Sequence, residues 1–184
     1  MTRPALSRRA LIGAGLAATL PLSAALADSA AEIDADIDRA LSQLYATVPG
    51  SEELAERAQG VLVMPSVIKG GLIIGGSYGE GALRINGRTT DYYSVAAASV
   101  GYQIGVQETA HALFFMTQPA LEKFRRSKGW ELGADAEFTV PGDGISLNVD
   151  STSAGKPVIA IVFAQDGLLA GASLEGAKYT RIRR

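Results

Sequence analysis

The 184-residue sequence contains no cysteine, a single histidine and a single tryptophan. Without cysteine there is no disulfide framework, no thiolate nucleophile and no thiolate metal ligand. It also excludes a lipid-modified cysteine behind an N-terminal leader. The lone histidine, His111, cannot build a histidine-rich metal site. Basic side chains are too few for a nucleic-acid footprint: 17 Lys and Arg stand against 19 Asp and Glu, a net charge of −2. No Gly-x-x-x-x-Gly-Lys-Ser/Thr phosphate cradle occurs. The one long uncharged stretch, Ala10 to Leu26, is interrupted by Gly13, Gly15 and Pro21 and is rich in alanine. It is weakly apolar for a segment that must cross roughly 30 Å of hydrocarbon.

That stretch fits an export signal instead. Ser7, Arg8 and Arg9 precede it, and Ala25-Leu26-Ala27 end it with small residues before Asp28. Ser-Arg-Arg ahead of Leu11 and Ile12 resembles a twin-arginine leader, which exports proteins already folded. Cleavage after residue 27 and a periplasmic location are therefore expected. Removing residues 1–27 takes Arg3, Arg8 and Arg9 and no acid, leaving 14 basic and 19 acidic side chains, or −5. The remaining 157 residues suit one domain, 28–184, with a core that needs no staples.

From Asp28 to Thr47 the pattern is helical, with Ile33, Ile37, Leu41, Leu44 and Tyr45 on one stripe. Val48-Pro49-Gly50 stops it, and Ser51 reads as the N-cap of a second short helix closed by Gly60. Val61 to Met64 is a short apolar run ended by Pro65, read as a buried strand. Leu72–Ile74, Tyr78–Ile85, Tyr92–Val106 and Thr109–Met116 continue as strands, with Asn86-Gly87 as a hairpin turn. So do Glu131–Val140, Ile145–Val149, Val158–Ala164 and Leu168–Tyr179. One helix interrupts them at Pro119–Lys128, with Thr117 as its cap and Gly129 at its end. Many of the 21 glycines fall inside strands, among them Gly75, Gly76, Gly79, Gly81, Gly101, Gly105 and Gly133. Glycine weakens a strand unless the sheet bends or another backbone comes close. The expected fold is α+β: short N-terminal helices, then a Gly-rich, strongly curved, mostly antiparallel sheet or small barrel with one inserted helix.

The candidate chemistry is sparse. Gly75-Gly76-Ser77-Tyr78-Gly79 matches the letters of a hydrolase elbow, but the residues after it run as strand rather than helix. His111, in an apolar strand, reads as a packed core residue and not as a base for Ser77. Asp34, Asp36 and Asp38 resemble the start of a calcium loop, yet Arg39 and Tyr45 stand where that loop needs Gly and Glu. They read as the solvated face of the first helix. No catalytic residue, metal ligand or cofactor is expected. Two basic groups remain: Lys123, Arg125, Arg126 and Lys128 beside Leu121, Phe124 and Trp130, and Arg181, Arg183 and Arg184. Basic side chains beside aromatics suit an anionic membrane surface, at roughly 1 kcal/mol per near-surface charge.

Several blocks resemble the SYLF domain family. They are Val61-Leu62-Val63-Met64-Pro65-Ser66, Gly75 to Gly81, Tyr92-Tyr93-Ser94, Ala98 to Gly101, Leu113 to Thr117, Gly129 to Gly133 and Gly167 to Gly176. They occur in family order from about residue 30 to Ile182. The resemblance implies a lipid-binding domain without enzymatic activity. Eukaryotic relatives bind phosphoinositides, and yeast members bind actin filaments. The acidic helix at Asp28–Thr47 departs from the basic N-terminal helix of the eukaryotic members. Actin is not an expected partner of an exported bacterial-type protein. The expected function is a periplasmic module that binds anionic phospholipid or another lipid through Lys123, Arg125, Arg126, Lys128 and Trp130. The alternative is a cell-envelope structural or protein-interaction domain, self-associating through exposed strand edges.

Overall fold

The computed structural model describes residues 29–71, 74–100, 107–132, 136–139, 156–163, 174 and 176–184. The leader expected at 1–27 and the strand expected at Ile145–Val149 lie outside these residues, as do parts of the neighbouring expected strands. Three helices are described: α1 (Ala30–Thr47), α2 (Ser51–Arg57) and α3 (Gln118–Arg126). The strands are β1 (Gly60–Gly71), β2 (Ile74–Ile85), β3 (Arg88–Val100), β4 (Gln107–Phe115), β5 (Trp130–Glu131), β6 (Ala136–Thr139), β7 (Val158–Phe163) and β8 (Lys178–Ile182). They form one sheet in the order β5-β8-β3-β2-β1-β4-β7-β6. Among the described residues every pairing is antiparallel except β6 with β7.

The sheet is strongly curled, as its glycines imply. Strands β8 and β4 stand four steps apart, about 19 Å in a flat sheet. Yet Tyr179 and His111 meet across the hollow, hydroxyl to Nε2 at 2.9 Å. The bend is seated where β1 and β2 cross. Both ladders of β1 shift register between Val63 and Val67, so β1 carries a bulge there. Pro65, expected to end the strand, lies in this bulge and the strand continues past it. A bulge is one of the few sheet positions that tolerates a residue without an N–H. Opposite it stand Gly79 and Gly81. A Cβ on Gly81 would overlap the Val63 carbonyl oxygen, and one on Gly79 the Ser66 carbonyl oxygen. Only glycine lets the two backbones come this close.

The two faces of the curled sheet carry two cores. On the convex face Val61, Val63, Ala82, Ala112, Phe114, Ile159 and Ile161 pack under Ile33, Ile37, Ala40 and Leu44 of α1. The concave face holds Met64, Leu83, Tyr93, Val95, Leu113, Phe115 and Tyr179, with Leu121 and Phe124 of α3. Alternation along each strand sends neighbours to opposite cores. Each fully buried side chain of this size stabilises the fold by about 1.5–3 kcal/mol.

Helix α1 begins in a capping box, Ser29 and Glu32 exchanging side-chain-to-backbone hydrogen bonds. Its acidic residues are not simply a solvated face. Asp34 accepts from Thr89 Oγ1 at 2.7 Å and from the Tyr92 hydroxyl at 3.0 Å. Asp38 accepts from Arg84 Nη1 at 2.6 Å. These bonds dock α1 on β2 and β3, and only Asp36 stays local, with Arg39. Ser51 is not the cap of α2 either. Gly50, with φ of 89°, takes that place, and the buried Ser51 hydroxyl donates to the Leu44 carbonyl at 3.2 Å. The helix ends at Arg57, before Gly60, which already belongs to β1. Asn86 and Gly87, at φ of 51° and 73°, make the tight turn expected between β2 and β3.

Candidate functional site

Helix α3 is positioned by its sequence at both ends. Thr117 caps it, its side chain accepting from the Ala120 N–H, and Pro119 sits in the first turn. Leu121 and Phe124, three apart, face the concave core. Phe124 packs on Tyr93 at 4.7 Å and on Phe115 at 4.8 Å between ring centroids. The polar side is thereby turned outward, with Lys123, Arg125 and Arg126 in the last turn, where the helix dipole favours cations. The helix stops at Arg126, two residues before the expected Lys128.

The basic residues singled out in the sequence do not form one uniform patch. Arg125 reaches down to Asp91 at 3.4 Å, and Arg181 of β8 pairs with the other oxygen of the same carboxylate. The Asp91 side chain is only 4% exposed, so this pair of arginines ties α3 to the β3–β8 region rather than simply facing solvent. Arg126 is 81% exposed and pairs with Glu122 at 2.8 Å, one helical turn away. Lys128 is exposed, as is Lys123, which also lines the cleft below. Among the C-terminal arginines, Arg184 closes on Glu80 with a 3.0 Å bond from Nε, and Arg183 is exposed. Burial would raise the Glu80 pKa, but hydrogen bonds from Arg184 and Tyr78 outweigh it and hold the carboxyl below its usual range.

Trp130 is half-buried and belongs to an aromatic cluster, 5.4 Å from Phe124 and 5.7 Å from Tyr179. Its other side helps to line a cleft of about 430 Å³ with Thr117, Pro119, Ala120, Lys123 and Pro157. The structure thus gathers Lys123 and Trp130 at one opening, leaves Arg126 and Lys128 exposed outside its lining, and pairs the partly exposed Arg125 with Asp91. Asp91 was missed in the sequence, where a lone acid after a turn carries no signal. Its role exists only because strand pairing brings Arg181 beside it.

The concave core contains no reactive pair of Ser77 with His111. Ser77 lies within β2, paired with Lys69 and Ala97, so the turn that a hydrolase elbow needs is absent. His111 is fully buried and its Nε2 is occupied by the Tyr179 hydroxyl. Burial lowers its pKa to about 3, which keeps the ring neutral. Burial likewise pushes Tyr179 far up and, with the Asp91 charge, raises Tyr93 to about 12. Among the described residues no group of three or more His, Cys, Asp or Glu could hold a metal ion. None of the described helices is long and apolar enough to cross a membrane.

Residues 96–183 match the model of a protein family, Ysc84, described as Las17-binding protein actin regulator. The match runs from the end of β3 through β4, α3, β5, β6 and β7 to the whole of β8, and so includes α3 and Trp130 beside the cleft. No curated protein matches the chain.

Proposed function

We propose, from the match of residues 96–183 to the SYLF (Ysc84) family model, that the chain is an exported, non-enzymatic member of that family that binds anionic lipid at the mouth of the curled sheet. Residues 28–184 act as one domain in this reading, in the periplasm, after loss of the leader. The observation that supports it is the cleft beside α3, where Lys123 and Trp130 share one opening with an apolar floor of Pro119, Ala120 and Val158. A volume of about 430 Å³ lies in the range of small-molecule sites. Arg126 and Lys128 stand outside it as solvated charges able to meet phosphate at a membrane surface. The actin regulation in the family description belongs to those proteins; actin is not part of this reading.

Co-sedimentation with vesicles tests it. The Arg126→Glu/Lys128→Glu variant is the right probe, because Arg125 also holds Asp91 and its loss would disturb the fold. Binding to anionic vesicles is expected to fall about tenfold in this variant and to weaken with salt. Wild-type binding by the folded variant would remove the site.

One observation favours the alternative of a cell-envelope interaction domain. Ile68 and Tyr78, cross-strand neighbours, are 54% and 52% exposed on the convex face. That reading expects mass to rise with concentration in light scattering and no affinity for vesicles of either charge.

A further inference from the structure

A second groove lies between α1, α2 and the β2–β3 turn, away from α3. It is about 450 Å³, with Leu41, Tyr45, Ala55, Ala58 and Val61 as its apolar lining. Glu52, Glu56 and Arg84 are its charged lining. The two glutamates are one helical turn apart, with Cβ atoms about 5–6 Å from each other, and their like charges come at some cost to the helix. Neither forms an ion pair among the described residues, whereas Glu53, on the same helix, pairs with Arg57 at 2.6 Å. The Arg84 charge is already met by Asp38 at 2.6 Å, and its Nη2 donates to the Asp34 carbonyl at 3.3 Å. Its Nε is buried with no acceptor among the described residues. Tyr45 feels the resulting field: burial first, then Glu52 against Arg84, then Glu56, raise its hydroxyl pKa.

We propose that this groove binds an ammonium-bearing amphiphile of the phosphoethanolamine headgroup type. The ammonium sits between Glu52 and Glu56 against the Tyr45 ring, where carboxylates and an aromatic face together favour a cation. The phosphate lies towards the positive charge of Arg84, which lines the same groove. The first carbons of the apolar body lie along Leu41, Ala55 and Val61. An anionic headgroup without the amine is repelled by the same two carboxylates. The groove carries two carboxylates and one guanidinium where the α3 cleft carries Lys123 and Glu131, and it does not depend on that cleft.

Titration of the full chain with dihexanoylphosphatidylethanolamine, as dispersed monomer, tests the inference. Saturable shifts of the Asn86 and Gly87 amides and of the Tyr45 ring signals are expected. Dihexanoylphosphatidylglycerol should bind there at least about tenfold more weakly, and E52Q/E56Q should weaken the amine lipid by about the same factor. Trp130 emission, which reports the α3 cleft, should not move. Equal affinity for both headgroups, unchanged binding by E52Q/E56Q, or no shift near Gly87 would each overturn the inference. A response confined to Trp130 would overturn it and leave the α3 reading standing. The E52Q/E56Q variant should retain the wild-type urea midpoint, since it relieves a like-charge pair.

Discussion

The two faces of the curled sheet are covered by helices in different ways. On the convex face, α1 lays an aliphatic stripe of Ile33, Ile37, Ala40 and Leu44 over small and β-branched strand residues. Its registration is fixed from its flank, by Asp34 and Asp38 on Thr89, Tyr92 and Arg84. On the concave face, α3 inserts Phe124 among Tyr93, Phe115, Trp130 and Tyr179. A curved sheet brings residues from distant strands together on its inside and spreads them on its outside. The inside therefore fills with rings that touch across the hollow, and the outside takes a helix that needs only a stripe. The flanks differ as well: a cleft lies beside α3, and α1 is clasped to β2 and β3 by polar side chains.

The sharpest way to break this comparison is at the bend itself. Gly81→Ala, whose methyl would overlap the Val63 carbonyl oxygen, is expected to destabilise the fold by at least about 3 kcal/mol in urea unfolding. Gly76→Ala, with its nearest atom at 3.6 Å, should cost less than about 1 kcal/mol. Equal midpoints for the two variants would mean that the glycines of β2 do not set the curvature.

A second, smaller effect separates the faces by pH. His111 belongs to the concave side only, and its folded pKa of about 3 lies below its ordinary value of 6.5. The unfolded chain therefore takes up a proton between these values that the folded chain refuses. Stability from this group is complete above pH 6.5 and falls as pH drops towards 3. Glu80, with a lowered carboxyl pKa, begins to contribute to acid sensitivity only near its ordinary value of 4.5 and below. Urea midpoints at pH 7.5 and 5.5 thus isolate the histidine. Wild type should be less stable at 5.5, and His111→Phe should flatten that difference; an unchanged slope would show that the ring is not shielded.

The smallest effect is expected on the outer side of α3. Arg126→Ala breaks an exposed pair with Glu122 and should shift stability by no more than about 0.5 kcal/mol. A larger loss would mean that Arg126 is structural and would disqualify it as a free lipid contact.

Much of the fold could be read from residue order. The stripe of α1, the Thr117 cap, the Asn86-Gly87 turn and the packed histidine all depend on neighbours within a few positions. The curvature was legible too, through glycines placed inside strands. Pro65 misled because a bulge is a property of two paired strands, and nothing in one strand announces the register of its partner. The N-terminus of α2 misled for a similar reason. Gly50 takes a left-handed turn, and Ser51 is drawn inward to a carbonyl of the preceding helix. At the site, Lys123 and Trp130 were identified by composition and do meet at one opening. Arg125 was identified equally, and its reach to Asp91 could not be read from the sequence.

The sequence by itself determined where most of the described helices and strands lie, that the chain carries no thiol or histidine cluster, and where basic and aromatic residues concentrate. Those features follow from local propensity and periodicity, which act over one or two turns of chain. Only the tertiary structure decided that Asp91 would hold Arg125 and Arg181, that His111 would meet Tyr179 across the hollow, and that Glu52 and Glu56 would flank a groove. Each depends on curvature and strand order, which bring together side chains tens of residues apart. Their chemistry is set by the burial and charge they find on arrival.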